Sequence, residues 1–313
     1  MDQSHLDKLL SPDYMIELIC GVHKFIDRHI REFPDRAFAP CNLETPLGLK
    51  HLVAVDLLAE RIFMDLISRK FRKQVVEIYG EESLGQNPDL SKETRTCILV
   101  DIIDGTDLLE RDFSNWCSAV TVFNPQQRRI EGAFVSLRTE RGRFLYFATK
   151  NSKAFKKRLH VASKNEQPQE LAGPNRTRRL RDASMCVYAQ KSRNLLEVLA
   201  LHEKPRLVQW LKEISEQSQA RFRFYNLAGN PMMVRLAEGT TDVVLDLKGQ
   251  FPHDVVPGAF IALQAGAAIS KANGEMLSMN DLVETLLRPA SSPVAYILAA
   301  NDHILAEVKE ILL

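Results

Sequence analysis

The chain has 313 residues with 41 Lys and Arg against 40 Asp and Glu, enough length to bury a sizeable core in one large domain or, as expected here, two. A formal net charge of +1 gives no global pull toward nucleic acid or an anionic membrane, and no stretch approaches the roughly 20 apolar residues of a membrane span. Five cysteines without C-x-x-C spacing, and an N-terminus lacking a basic region followed by an apolar core, predict a soluble protein of a reducing, cytoplasmic compartment.

Ser11-Pro12-Asp13 reads as a helix start, and Met15, Leu18, Ile19, Val22, Phe25, Ile26, His29, Ile30 and Phe33 recur at helical spacing until Pro34 stops it. A proline-broken loop follows. A second helix is predicted over 52–71, with Leu58, Ile62, Phe63, Leu66 and Ile67 facing inward and Asp56 near its start. Residues 74–79 read as a strand that delivers Glu81 and Glu82 to a polar loop.

Next comes Cys97-Ile98-Leu99-Val100-Asp101-Ile102-Ile103-Asp104-Gly105-Thr106-Asp107, a buried strand ending in two carboxylates, a glycine and a threonine hydroxyl. Two dehydrated carboxylates three residues apart repel each other and take up protons unless a cation neutralises them. A metal ion is the simplest remedy. The turn at Asp104-Gly105 would lead into a helix whose free N–H groups, near Gly105 and Thr106, suit a phosphate. Taken singly, Asp104-Gly105 reads equally as an ordinary turn, Thr106 or Asp107 as a helix cap, and Glu81-Glu82 as a solvated loop.

Strands over 116–123, 130–137 and 143–149 predict an antiparallel meander, so the amino half is α+β. From 151 to 182 the pattern dissolves into a basic, polar stretch containing Lys156-Lys157-Arg158 and Arg176-Thr177-Arg178-Arg179-Leu180-Arg181. It reads as a solvated domain connection rather than a nucleic-acid surface, because aromatics are not interleaved with the charges. The expected division is an N-terminal α+β domain, 1–160, with the antiparallel sheet and most metal ligands, and a C-terminal α/β domain, 161–313. Asn175-Arg176-Thr177 fits a glycosylation sequon and is read as an unmodified loop. The carboxyl half alternates strands at 183–189, 222–225, 242–247, 267–270 and 294–299 with helices around 195–216, 231–238 and 255–265 and at the end, implying a sheet between helix layers.

Asp101-Ile102-Ile103-Asp104-Gly105-Thr106 resembles the D-P-I-D-G-T signature of the inositol monophosphatase superfamily of magnesium-dependent, lithium-sensitive phosphomonoesterases. Gly80-Glu81-Glu82-Ser83 matches its G-E-E-S segment, and His253-Asp254-Val255-Val256-Pro257-Gly258-Ala259 resembles W-D-x-A-A-G-A, in the same order and at similar spacing. Val53-Ala54-Val55-Asp56 is a looser match to V-T-A-T-D. The resemblance implies an αβαβα sandwich of the inositol monophosphatase and fructose bisphosphatase type, and a homodimer.

Carried over residue by residue, it implies a first Mg²⁺ on Glu81, Asp101 and the Ile103 carbonyl and a second on Asp101, Asp104 and Asp254, which contributes from the C-terminal domain; a third, weaker ion leans on Glu81. An all-oxygen donor set suits Mg²⁺ better than zinc. Gly105 and Thr106 would hold the phosphate, and Thr106 with Asp56, beside Glu81, would orient the attacking water. Two such ions polarise phosphate, acidify water and stabilise the departing alkoxide.

The chain also departs from the family pattern. Ile102 replaces the usual proline, Asp107 puts a charge where relatives have a small hydroxyl or lysine, and His253 stands at the tryptophan position. The inositol-contacting glutamate falls near Leu247, between Asp246 and Lys248, so Asp107, Asp246, Lys248 and His253 are the candidate pocket residues. The expected activity is hydrolysis of a small polyol, sugar or nucleotide phosphomonoester. The alternatives are a 3'(2'),5'-bisphosphate nucleotidase, a fructose-1,6-bisphosphatase, or a catalytically silent scaffold for a phosphorylated metabolite. Lys248, Lys271 and Arg111 are candidates for holding a second phosphate.

Overall fold

The computed structural model describes residues 3–45, 48–71, 76–82, 96–139, 141–160, 166–189, 192–217, 219–288 and 293–313. After α1 (Gln3–Leu9), Ser11 caps α2 (Pro12–Glu32) by accepting the Tyr14 N–H, and Pro12 occupies a first-turn position where a missing N–H loses nothing. The α2 stripe Met15, Ile16, Leu18, Ile19, Val22 and Ile26 is buried. A short α3 (Pro34–Ala37) follows. The loop expected next is instead an antiparallel hairpin, β1 (Pro40–Thr45) with β2 (Gly48–Val53), which tolerates Pro40 because it is the first residue of its strand. Helix α4 (Ala54–Lys70) packs beside α2.

Seven strands make the first sheet in chain order: β3 (Val76–Gly80), β4 (Thr96–Asp104), β5 (Cys117–Asn124), β6 (Arg129–Thr139), β7 (Gly142–Thr149), β8 (Phe155–Arg158) and β9 (Gln169–Glu170). β3 runs parallel to β4 and the other pairs are antiparallel. α5 (Thr106–Glu110) separates β4 from β5. Alternate residues of β4 feed two cores: Ile98 and Val100 pack toward α2 and α4, Cys97 and Leu99 toward the second half. Burial on both faces explains the unbroken apolar run.

The polar stretch from 151 to 182 requires a correction. Lys156-Lys157-Arg158 lies in β8, paired with β7, and Lys157 is buried with its ammonium 2.6 Å from an Asp13 carboxylate oxygen of α2. Pairing with a neighbouring strand and one ion pair supply what apolar periodicity does not.

The second sheet has the order β11 (Arg223–Tyr225), β10 (Ser184–Val187), β12 (Val243–Gln250), β14 (Val294–Ala299), β13 (Ala268–Lys271). Here α8 (Asn230–Ala237), α9 (Pro252–Gln264) and α10 (Met279–Leu287) pack in one core with residues of both sheets. α6 (Ser192–Leu199) lies against β12, while α7 (Pro205–Ser215) and α11 (Asp302–Leu312) cover the outer face. The layers are therefore helix, sheet, helix, sheet, helix. α9 starts three residues earlier than periodicity predicts, so Asp254 sits inside its first turn. No described helix is long and apolar enough to cross a membrane.

Candidate active site

The site is built on an irregularity in β4. Asp101 pairs with Ala119 and Asp104 with Cys117, so Ile102 and Ile103 together face Ser118. In a regular strand, residues three apart point to opposite faces; one inserted residue returns them to the same side. Asp101 and Asp104 accordingly line one cavity of about 340 Å³. Two hydrogen bonds hold the bulge: Ile103 N–H donates to Asp101 Oδ1 at 2.9 Å and the Ser118 hydroxyl to the Ile102 carbonyl at 2.7 Å. Gly105 then turns the chain with φ 97°, a left-handed conformation that disfavours other residues, and α5 begins.

Neighbouring elements bring further acids. Because β3 lies parallel to β4, its end delivers Glu81 beside Asp101, with Glu81 N–H donating to the Val100 carbonyl at 3.0 Å. Buried Glu60 of α4 accepts the Glu82 N–H at 2.7 Å, and a side chain at Gly80 would collide with its carboxylate. From α9, Asp254 completes a set in which single carboxylate oxygens of Glu81, Asp101 and Asp254 all lie within 4.8 Å of one another. Asp104 borders them, its Oδ2 accepting from Asn230 Nδ2 at 3.0 Å and from the Cys117 thiol at 3.4 Å. Thr106 Oγ1 donates its proton to Asp56 Oδ1 at 2.6 Å, and the Ile103 carbonyl oxygen lies 3.1 Å from Thr106 Oγ1.

Burial pushes the Asp101 carboxyl well above the usual range, and Glu81, Asp104 and Asp254 push it the same way. Burial also raises Asp104, to about 7, against the downward pull of the Asn230 hydrogen bond. Acids crowded in this way favour a bound proton or a bound cation. The donor set is all oxygen, which fits a hard divalent ion such as Mg²⁺.

Of the candidate pocket residues, only Asp107 lines this cavity. Lys248 lines a smaller neighbouring cavity and pairs with Glu197. Asp246 is fully buried, its Oδ1 accepting the Lys248 and Gly249 N–H groups at 2.7 Å, which closes a turn rather than lining a wall. His253 is turned inward and 1 % exposed.

The sequence reading missed several neighbours. Tyr188, Gln250 and Asn115 contribute polar wall. Asn230, fully buried, donates to Asp104 and at 2.8 Å to the His253 carbonyl, while its oxygen accepts the Gly258 N–H at 2.8 Å. It thereby ties β4 to the start of α9. An asparagine between Gly229 and Pro231 at a helix start was the one local signal for it.

A model of the inositol monophosphatase family matches residues 42–312. Among solved structures, a Staphylococcus aureus IMPase-II with bound 2'AMP is 20 % identical with a TM-score of 0.62, over 95 % of this chain and 92 % of that one. An IMPase of Thermotoga maritima is 16 % identical with a TM-score of 0.64, over 96 % and 95 %. The extragenic suppressor protein suhB of Bartonella henselae is 17 % identical with a TM-score of 0.63, over 95 % and 97 %. At these identities the likeness is one of fold. No curated protein sequence matches the chain.

Proposed function

Because the chain belongs to the inositol monophosphatase family, we propose that it is a magnesium-dependent phosphatase that hydrolyses a phosphomonoester of a small polyol, sugar or nucleotide. The observation that carries this reading is the meeting of Glu81, Asp101 and Asp254 oxygens within 4.8 Å. Three separate elements supply them, and so costly a convergence of acids is accounted for by a cation. The Staphylococcus aureus IMPase-II also has structures with inositol monophosphate and with 2'AMP, which supports a phosphorylated, hydroxyl-bearing substrate here.

Glu81, Asp101 and the Ile103 carbonyl would hold one ion, and Asp101, Asp104 and Asp254 a second. When bound, the ions supply positive charge that attracts the phosphate and acidifies a water. The chain's own residues do the rest. Thr106 gives its proton to Asp56, which leaves the threonine oxygen free to accept one from water, so the pair orients the nucleophile and passes its proton toward the Asp56 carboxylate. The first N–H groups of α5, at Gly105 and Thr106, have no partner within the helix and would face the phosphate oxygens. Asp107, Asn115, Tyr188 and Gln250 would meet the leaving group.

The test is phosphate release by purified protein with Mg²⁺, across inositol, sugar and nucleotide monophosphates and the corresponding bisphosphates. Turnover of monophosphates that stops on chelation is expected; no release from any member of the panel would overturn the reading.

A further inference from the structure

Of the buried residues of α2, His23 alone is polar. It occupies a position that helical spacing reserves for an apolar side chain, is 4 % exposed, and packs edge-on against Trp116 with ring centroids 5.2 Å apart. Its Nε2 lies 2.8 Å from the Ser118 hydroxyl and its Nδ1 3.4 Å from an Arg143 guanidinium nitrogen.

The partners fix where the protons are. A carbonyl only accepts, so Ser118 donates to Ile102 and must accept from His23 Nε2–H. A guanidinium only donates, so Nδ1 accepts from Arg143. One neutral tautomer satisfies every member of this path, which runs from the Arg143 guanidinium through His23 and Ser118 to the Ile102 carbonyl.

The path ends on the bulge. Ser118 is the single residue opposite Ile102 and Ile103, and that two-against-one pairing puts Asp101 and Asp104 on one side. Anchoring α2 to the sheet needs no buried imidazole; an apolar residue at 23 and a methyl at 118 would pack without dehydrating polar groups. A buried polar path is justified by the peptide it orients, as outer hydrogen bonds orient metal ligands elsewhere.

We infer that His23 and Ser118 are positioning residues: their hydrogen bonds hold the Ile102 carbonyl, lock the bulge in β4, and so keep the Asp101 and Asp104 carboxylates aimed at a common cation. The inference rests on reading those carboxylates as metal ligands, not on any particular substrate.

Cation affinity is measured on Ser118→Ala, His23→Leu, His23→Gln and the double variant Ser118→Ala with His23→Leu, by Tb³⁺ luminescence and by Mg²⁺ competition against it. Circular dichroism serves as the fold control. Ser118→Ala and His23→Leu each weaken Mg²⁺ binding roughly 10- to 100-fold, the double variant is little worse than either single one, and His23→Gln, which keeps an N–H for Ser118, recovers most of the loss. In kinetics the same variants raise the Mg²⁺ concentration for half-activation more than they lower kcat at saturating Mg²⁺. Folded Ser118→Ala with wild-type affinity overturns the inference, as does equal loss in His23→Gln and His23→Leu. If Ser118→Ala does not fold, the two His23 variants decide. Wild-type protein that binds Mg²⁺ but hydrolyses nothing defeats the phosphatase reading alone, whereas wild-type protein that binds neither ion defeats both.

Discussion

His23 should make stability depend on pH in a way that can be isolated. Burial, with the Arg143 charge adding to it, lowers its pKa from 6.5 to about 3. Between these values the unfolded chain binds a proton that the folded chain refuses, so stability falls as pH falls through that window and is unaffected above it. At pH 5 the unfolded imidazole is protonated by a factor of about 30 over its neutral form, which corresponds to a loss of about 2 kcal/mol, growing to about 4 kcal/mol by pH 3. The raised carboxyls of Asp101 and Asp104 act in the opposite sense, since the folded state holds their protons more firmly, and must be cancelled by comparison. Urea denaturation of wild type and His23→Gln at pH 8 and pH 5, at fixed ionic strength with chelator, does this. Wild type should lose about 2 kcal/mol more than the variant between the two pH values. Parallel losses would show that the ring is not held neutral in the folded protein, and the tautomer deduced from its partners would fall with it.

Asp104→Asn should reduce turnover by more than the roughly 10- to 100-fold typical of an outer-shell change, and should not lower the melting temperature of the chelated protein, because it relieves crowding among acids; unaltered kcat/KM would exclude Asp104 as a ligand. Asn230→Ala strands the His253 carbonyl and the Gly258 N–H and removes a donor from Asp104, so it should cost about 1–3 kcal/mol in chemical denaturation; a difference below a few tenths would contradict the clamp described for it. Mg²⁺ at a hundred times its dissociation constant should stabilise the protein by about 2.7 kcal/mol for each site it fills, read as a thermal shift that EDTA reverses. Thr106→Val should lower kcat with little change in Mg²⁺ affinity, and Thr106→Ser should restore it; equal activity in both variants would remove the hydroxyl from the proton path.

Much of the scaffold was legible because it follows from local chemistry. The α2 stripe declares its period and its start at Ser11, and the run from Cys97 to Ile103 is apolar throughout because both faces of β4 are covered. The β8 strand was not legible, since Phe155–Arg158 acquires strand character from β7 and from Asp13, far away along the chain. Helix α10 was overlooked although Ser278 and Asp281 form a reciprocal capping box, a signal present in the sequence. Within the site, Asp101 and Asp104 stood out as acids, but their spacing conflicts with strand alternation, and that conflict is itself the mark of the bulge. His23 could not be singled out, because it acquires its meaning from Ser118, about a hundred residues away, and the helix-start signal at Asn230 does not disclose that its amide reaches Asp104.

The helix that carries Asp254 is packed against strands of both sheets, with nearly every other side chain of its first three turns buried. That gives the acidic cage one wall unable to retreat, because close-packed interiors transmit displacement instead of absorbing it. Calcium sits a few tenths of an ångström farther from its oxygens than magnesium does, so if the proposed cage holds Mg²⁺, admitting Ca²⁺ would mean shifting a helix packed against strands of both layers. On that reading the frame would sort cations by radius as well as by charge.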